Sequence, residues 1–210
     1  MYKRKLFLFS SSNRRLELFQ KAGIEFIQKD HLINERSIDL KKFKPILHPK
    51  MIAIEKLKSH KGNNQDLLIA VDTCVIYKDA IINKPSNIEE AKMNLQLLKS
   101  KSHMVVTSIV LKNNNQIICK SRISKVKLRD FSQEEMNKYI KSKIPFDRAG
   151  GYGIQDEDFS PVESYKGCYL NIVGLPLCTL ESILSKFDYS INILDCNIRC
   201  KQYKKSEDLV

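Results

Sequence analysis

Leu67-Leu68-Ile69-Ala70-Val71 is the most apolar strand-length run in the chain, and Asp72-Thr73 follows it directly. Five aliphatic residues without alternation describe a strand covered on both faces, as in a sheet flanked by helices. A carboxylate at the end of such a strand faces the crevice where α/β proteins bind ligands. Asp72 is therefore a candidate metal ligand or general base. On spacing alone it could equally cap a turn.

Upstream, Leu6-Phe7-Leu8-Phe9 is a second buried strand. Ser10-Ser11-Ser12-Asn13-Arg14-Arg15 then leads into an amphipathic helix begun by Leu16, Leu18 and Phe19, which Gly23 stops. Residues 24–27 are expected as a short strand and residues 28–47 as a polar loop. Residues 48–60 carry Met51, Ile52, Ile54 and Leu57 at helical spacing, with Gly62 beyond.

Downstream, Asn87-x-x-Glu90 opens a helix through Met93, Leu95, Leu97 and Leu98. Residues 103–111 and 116–128 form a hairpin about Asn113-Asn114-Asn115. Ser132-x-x-Glu135 is a capping box for a helix ending near Ser142. Residues 145–158 read as a Gly-rich loop, residues 159–165 and 169–173 as strands, and Pro176 as the first residue of a helix reaching about residue 187. Residues 191–194 are expected as a last strand. The order implies one α/β domain with a mixed sheet over residues 1–195, and a charged tail at 196–210.

The composition agrees. The 210 residues are 42% hydrophobic and 29% charged, which excludes disordered and collagen-like classes. No apolar run approaches a membrane span. The run after Lys3-Arg4-Lys5 is too short for a signal peptide, so the chain reads as cytoplasmic. The six cysteines (Cys74, Cys119, Cys168, Cys178, Cys196, Cys200) are scattered and read as reduced thiols, and Cys196-x3-Cys200 has no second ligand pair to make a metal site. Lys and Arg number 36 against 24 Asp and Glu, a net charge of +12. That excess fits a nucleic-acid footprint, an anionic small substrate or a lysine-rich proteome, and charge alone does not choose. The basic residues are dispersed and no RNA- or DNA-binding signature accompanies them, which disfavours a nucleic-acid partner.

Four segments carry candidate chemistry. Hydroxyls, amides and arginines at the start of a helix, as in residues 10–15, suit an anion. Arginine there opposes the helix dipole, a mild cost that a bound anion would offset. No Walker pattern is present, so this is not a P-loop. Asp72-Thr73 is the second segment. In the third, Asn83-Lys84-Pro85, the proline holds the lysine extended. The fourth is Phe146-Asp147-Arg148-Ala149-Gly150-Gly151-Tyr152-Gly153-Ile154-Gln155, whose glycines suggest a backbone pressed close to a ligand. No metal-ligand spacing links His31, His48, His60 and His103.

In this order the segments resemble the Maf family of septum-formation-inhibitor-like proteins, which are nucleoside triphosphate pyrophosphatases. The family's Ser-x-Ser-Pro-Arg-Arg is similar to residues 10–15, its next-loop Glu to Glu35, and its Leu-Ala-x-x-Lys-Ala to Ile52-Ala53-Ile54-Glu55-Lys56-Leu57. Its Ala-Asp-Thr-x-Val matches Val71-Asp72-Thr73-Cys74-Val75, and its Gly-Lys-Pro matches Asn83-Lys84-Pro85. Its Asp-Lys-Ala-Gly-Ala-Tyr-Gly-Ile-Gln is nearly intact at residues 147–155, and Asn171-Ile172-Val173-Gly174-Leu175-Pro176-Leu177 matches its closing motif. Phe9, Asn13, Val71, Asn83, Arg148 and Gly151 depart from the pattern; Val71, in place of a smaller residue, and Asn83, in place of glycine, would narrow a backbone approach to ligand.

The resemblance implies an elongated mixed sheet flanked by helices, with two lobes around a nucleotide-binding cleft. It implies water attack on the α-phosphorus of a nucleoside triphosphate, releasing pyrophosphate, with a divalent metal (Mg²⁺, Mn²⁺ or Co²⁺) and, by family habit, a homodimer. Under it Asp72 is base and metal ligand, Glu35 a second metal ligand, and Ser10, Ser12, Arg14, Arg15, Lys56 and Lys84 phosphate donors. Arg14, Thr73 and Gln155 match the branch associated with dTTP, UTP and modified pyrimidines. The rival is a catalytically weak member acting in cell-division arrest through protein or nucleic-acid contacts. A protein of the inosine-triphosphatase type would share the cleft but not these motifs.

Overall fold

The structure is a computed structural model that describes residues 4–31, 33–58, 60, 66–114, 116–189 and 191, without the Arg36 side chain. Its axis is β3 (Leu67–Tyr77), which runs past Asp72 instead of ending there. Val75, Ile76 and Tyr77 prolong the strand character. Residues 68–76 pair without interruption, antiparallel, with β5 (Ser102–Asn113). Among the described residues one seven-stranded mixed sheet forms, in the order β2 (Ile27–Lys29), β1 (Leu6–Phe9), β3, β5, β6 (Gln116–Leu128), β7 (Val162–Lys166). The short β4 (Ala80–Ile82) also pairs with β3.

The other edge of β3 explains the crevice. Parallel β1 covers residues 67–70 and antiparallel β4 covers residues 75–77. No described strand pairs with residues 71–74 on that edge. Asp72 and Thr73 therefore face a crevice because their neighbour strand stops, not because their own does.

Alternation along the long strands separates the cores. On one face Leu67, Ile69, Val71, Ile109 and Leu111 join a core with α1 (Asn13–Lys21) and α6 (Leu177–Leu184). Further along the same face Val75, Val105, Val126 and Leu128 join a second core with α3 (Ile88–Leu98) and α4 (Gln133–Lys141). Between the two cores lies a polar seam, the cross-strand pair Thr73 and Thr107. On the opposite face Leu68, Ala70 and Val110 pack with Ala53 and Leu57 of α2 (His48–Lys58). Val71 is fully buried in the first core, so its bulk does not narrow the cleft.

Helix ends follow local chemistry. Ser132 and Glu135 form the reciprocal capping box. The Asn87 side chain accepts from the Glu90 amide, but the Glu90 carboxylate turns back to the Ser86 amide instead of closing the box. Gly23 lies just beyond α1 with φ at +69°.

Several boundaries differ from expectation. Residues 24–27 give way to β2 at Ile27–Lys29, short 3-10 turns occupy Glu35–Ser37 and Pro45–Leu47, and the strand expected at 159–165 is Val162–Lys166. Pro176 caps α6 from outside its first turn. Residues 169–173 are not a strand but α5 (Tyr169–Val173). Five mixed apolar residues satisfy either period, and here Gly174, at φ +120°, ends a helical turn by donating its amide to the Leu170 carbonyl. Residues 192–194, Gly62, Cys196, Cys200 and the 201–210 tail lie outside the described residues. No helix among the described residues is long and apolar enough to cross a membrane.

Candidate active site

A cleft of about 1030 Å³ opens at the gap beside residues 71–74, and Ser10, Ser12, Arg14, Arg15, Glu35, Lys56, Asp72, Thr73, Lys84 and Gln155 all line it. Ser10 and Ser12 come from the β1–α1 turn, Arg14 and Arg15 from the first turn of α1, Glu35 from the 3-10 turn after β2, Lys56 from α2, Asp72 and Thr73 from β3. Lys84 follows β4, and Gln155 ends the Gly-rich segment.

The floor is a charged cluster in which Lys56 and Asp72 are buried and Glu35, 41% exposed, reaches towards solvent. Lys56 sits on the last turn of α2, which packs against the Asp72 face of β3. Its Nζ lies 2.9 Å from Asp72 Oδ1 and 2.7 Å from Glu35 Oε1, with only 3% of its side chain exposed. Burial pushes the Asp72 carboxyl above its usual value, against the pull of Lys56. Burial also acts upward on Glu35, but there the Lys56 ammonium outweighs it and the carboxyl stays below its usual value. Two nearby carboxylates are thus pushed apart: Glu35 keeps its charge firmly, whereas Asp72 is the better proton acceptor.

Arg15 belongs to the wall. Its Nε donates to the Gly174 carbonyl at 2.9 Å and its Nη2 to Thr73 Oγ1 at 2.9 Å, and Ser10 Oγ lies 3.5 Å from Nη1. Thr73 Oγ1 also meets Thr107 Oγ1 at 2.9 Å, and the Thr107 hydroxyl donates to the Asn171 carbonyl. Fully buried Asn171 closes this seam through the Thr107 amide, the Val105 carbonyl and the Ser124 hydroxyl. The Arg15 guanidinium is thereby aimed by hydrogen bonds on three sides. Ser12 stands at the N-cap of α1, yet its hydroxyl makes no capping bond.

At the rim, Arg14 Nη1 meets Asp147 Oδ2 at 2.5 Å and Arg14 Nη2 donates to the Asp147 carbonyl at 2.9 Å. Lys84 Nζ approaches Asp147 Oδ1 at 3.1 Å. Arg148 turns its fork the other way, onto buried Asp156, at 2.8 Å and 3.3 Å. This accounts for arginine where the family pattern has lysine: a two-toothed grip on a carboxylate needs the planar guanidinium. Tyr139 donates to the same Asp156 carboxylate. Gly153 lies against this pair, and a Cβ there would come within 2.6 Å of Asp156 Oδ2. The loop glycine thus makes room for the chain's own ion pair. The Gln155 side chain lines the cleft, and its buried Oε1 has no hydrogen-bond partner among the described residues.

Glu35 and Asp72 are the carboxylates available to a cation. No group of three or more His, Cys, Asp or Glu side chains able to hold a metal occurs among the described residues. Two carboxylates joined by water and a substrate phosphate are the usual donor set for Mg²⁺, so the residues fit a cation shared with substrate.

Three participants escaped sequence reasoning. His31 was isolated by spacing, but its Nε2 lies 3.6 Å from Glu35 Oε1 and it lines the cleft. Residues 31, 33 and 34 are not helical, so the i, i+4 spacing gave no signal. Asp147 was visible only as one of a charged pair, and Asn171 only as part of a motif.

A model of the Maf-like protein family matches residues 5–187. A dTTP/UTP pyrophosphatase of Dictyoglomus thermophilum is 34% identical over 192 residues, 90% of this chain and 99% of that protein. One of Bacillus cereus is 34% identical over 190 residues, 90% of this chain and 98% of that protein. A dTTP/UTP pyrophosphatase of Dehalococcoides mccartyi is 41% identical over 137 residues, 64% of this chain and 61% of that protein. With sheet, cleft and motifs in agreement, this chain belongs to the Maf-like protein family.

Proposed function

We propose that this chain hydrolyses dTTP, UTP and modified pyrimidine nucleoside triphosphates to the monophosphate and pyrophosphate. The observation that carries the proposal is the buried Lys56 between Glu35 and Asp72, opposite the Ser10–Arg15 turn in one cleft. Such a floor pairs a proton acceptor with a cation where a phosphate would lie, as water attack on phosphorus requires. Asp72 takes the proton of the attacking water. Ser10, Ser12, Arg14, Arg15, Lys56 and Lys84 neutralise and orient the phosphates. A divalent cation held by Glu35 and Asp72 would supply charge neutralisation and polarise the phosphoryl oxygen. Arg14, Thr73 and Gln155 select the base, and the unpartnered Gln155 Oε1 supports this role because a buried acceptor favours a ligand donor. In this proposal residues 1–195 act as one domain in the cytoplasm, with 196–210 a charged tail, and no nucleic acid is required.

The test is a pyrophosphate-release assay with Mg²⁺ or Mn²⁺ and a panel of dTTP, UTP, 5-methyl-UTP, CTP, dITP and 7-methyl-GTP. Release from dTTP and UTP is expected. No release from any nucleotide overturns the proposal. Orthophosphate in place of pyrophosphate refutes attack at the α-phosphorus, and preference for 7-methyl-GTP refutes the pyrimidine assignment.

A further inference from the structure

Asp147 faces three cations from three separate segments: Arg14 at the start of α1, Lys84 after β4, and its neighbour Arg148. Its Oδ2 lies 2.5 Å from Arg14 Nη1 and 3.6 Å from Arg148 Nη1, and its Oδ1 lies 3.1 Å from Lys84 Nζ. The carboxylate and Lys84 are the outer members of this group, 56% and 52% exposed, whereas the Arg14 and Arg148 side chains are 17% and 15% exposed. Resting on the reading that Arg14 and Lys84 receive phosphate, we propose that Asp147 is a displaceable internal counter-ion. In the free protein its carboxylate occupies the seat of a phosphate group, and a polyanion binds by exchanging with it.

Three features make the exchange feasible. First, the exposed carboxylate has water beside it, so it can leave its partners without a large desolvation penalty. Second, Arg14 does not lose its place when the carboxylate leaves. Its Nη2 remains bonded to the Asp147 main-chain carbonyl at 2.9 Å, so the guanidinium keeps its aim. Third, the charge count favours the incoming ligand. Asp147 brings one negative charge to a seat where Arg14 and Lys84 have no other described carboxylate within salt-bridge distance, while Arg148 is engaged by Asp156. A ligand with two or more negative charges satisfies that seat better than a monoanion does. The seat thus favours the pyrophosphate portion of a triphosphate over a single carboxylate, and Asp147 lowers affinity for substrate and product alike. Lower affinity for the product helps turnover, because pyrophosphate must leave before the next cycle.

The experiment is calorimetric titration with inorganic pyrophosphate, Mg²⁺ present throughout, of the full chain and of its Asp147→Asn, Asp147→Ser and Asp147→Glu variants. Pyrophosphate release from dTTP and UTP is assayed on the same preparations. Removing the charge in Asp147→Asn or Asp147→Ser should tighten pyrophosphate binding about tenfold, while Asp147→Glu stays within about threefold of the parent. Unchanged or weaker binding in both neutral variants overturns the counter-ion assignment, even if the parent releases pyrophosphate from nucleotides. Equal tightening in Asp147→Glu overturns it too, because charge would not be the cause. If the neutral variants tighten pyrophosphate binding but the parent hydrolyses no nucleotide, the counter-ion stands and the proposed activity falls. If no form binds pyrophosphate, the counter-ion assignment falls, and the release assay alone decides the proposed activity.

Discussion

The floor and the rim of the cleft join carboxylates to cations in opposite surroundings. On the floor one ammonium, Lys56, sits between two carboxylates and is almost sealed from water. At the rim one carboxylate, Asp147, sits between cations and faces solvent. Similar distances therefore have different consequences. Removing a partner from a buried pair leaves an uncompensated charge in a poor solvent for it, whereas water takes over the missing partner of an exposed pair. The floor is suited to holding a proton acceptor in a fixed state and place. The rim is suited to exchange.

The largest expected effect comes from Asp72→Asn, which keeps the shape of the floor but removes its proton acceptor. Turnover measured as pyrophosphate release should fall on the order of 10³-fold. Full activity in this variant would show that the floor's chemistry lies elsewhere. Lys56→Met addresses the energetics. With its ammonium gone, the buried Asp72 carboxylate loses its nearest cation, and stability in a urea titration should fall by about 3 kcal/mol. A loss below about 0.5 kcal/mol would remove the distinction between floor and rim.

A buried titratable group outside the floor and rim sharpens the comparison. His103 is buried at the start of β5, its Nε2 2.5 Å from the Tyr152 hydroxyl. Burial pushes its pKa down from 6.5 to about 4. The folded protein therefore keeps it neutral while the unfolded chain takes up a proton below about pH 6.5. The unfolded state binds more protons in that window, so stability falls as pH drops from about 6.5 towards 4. His103→Gln should remove about 2 kcal/mol of the stability change between pH 7 and pH 5, read from paired urea titrations. Identical pH slopes in parent and variant would show that burial does not hold this imidazole neutral.

Much of this was legible in the sequence where the signal is local. The aliphatic run at 67–71, the Ser132–Glu135 box and the Gly23 stop each depend on neighbours within a turn or a strand, and each appears in the fold. The cleft residues were legible as motifs, and the structure brings all of them together. What was not legible depends on partners far away in the chain. Arg14 and Asp147 are 133 residues apart, and Thr107 and Asn171 are 64 apart, so no periodicity announces either contact. Residues 169–173 failed for another reason: five residues span too little of either period to separate helix from strand. Asp72 was placed correctly at a crevice for an incorrect reason, because where β1 stops is invisible in the sequence of β3.

The smallest expected change in stability is at the rim, and its value lies in the contrast with activity. Lys84 is 52% exposed and shares Asp147 with Arg14. Lys84→Met should therefore lower the unfolding free energy in a urea titration by no more than about 0.5 kcal/mol, since water replaces the lost contact and Arg14 still holds the carboxylate. The same substitution removes a charge from the phosphate seat, so KM for dTTP should rise about tenfold. Lys56 and Lys84 then separate cleanly: loss of the first lowers stability and turnover together, and loss of the second weakens binding alone. If Lys84→Met destabilises the protein as much as Lys56→Met, exposure at the rim is not what makes its charges exchangeable. If KM is unmoved, Lys84 does not reach the substrate and the rim has no part in holding it.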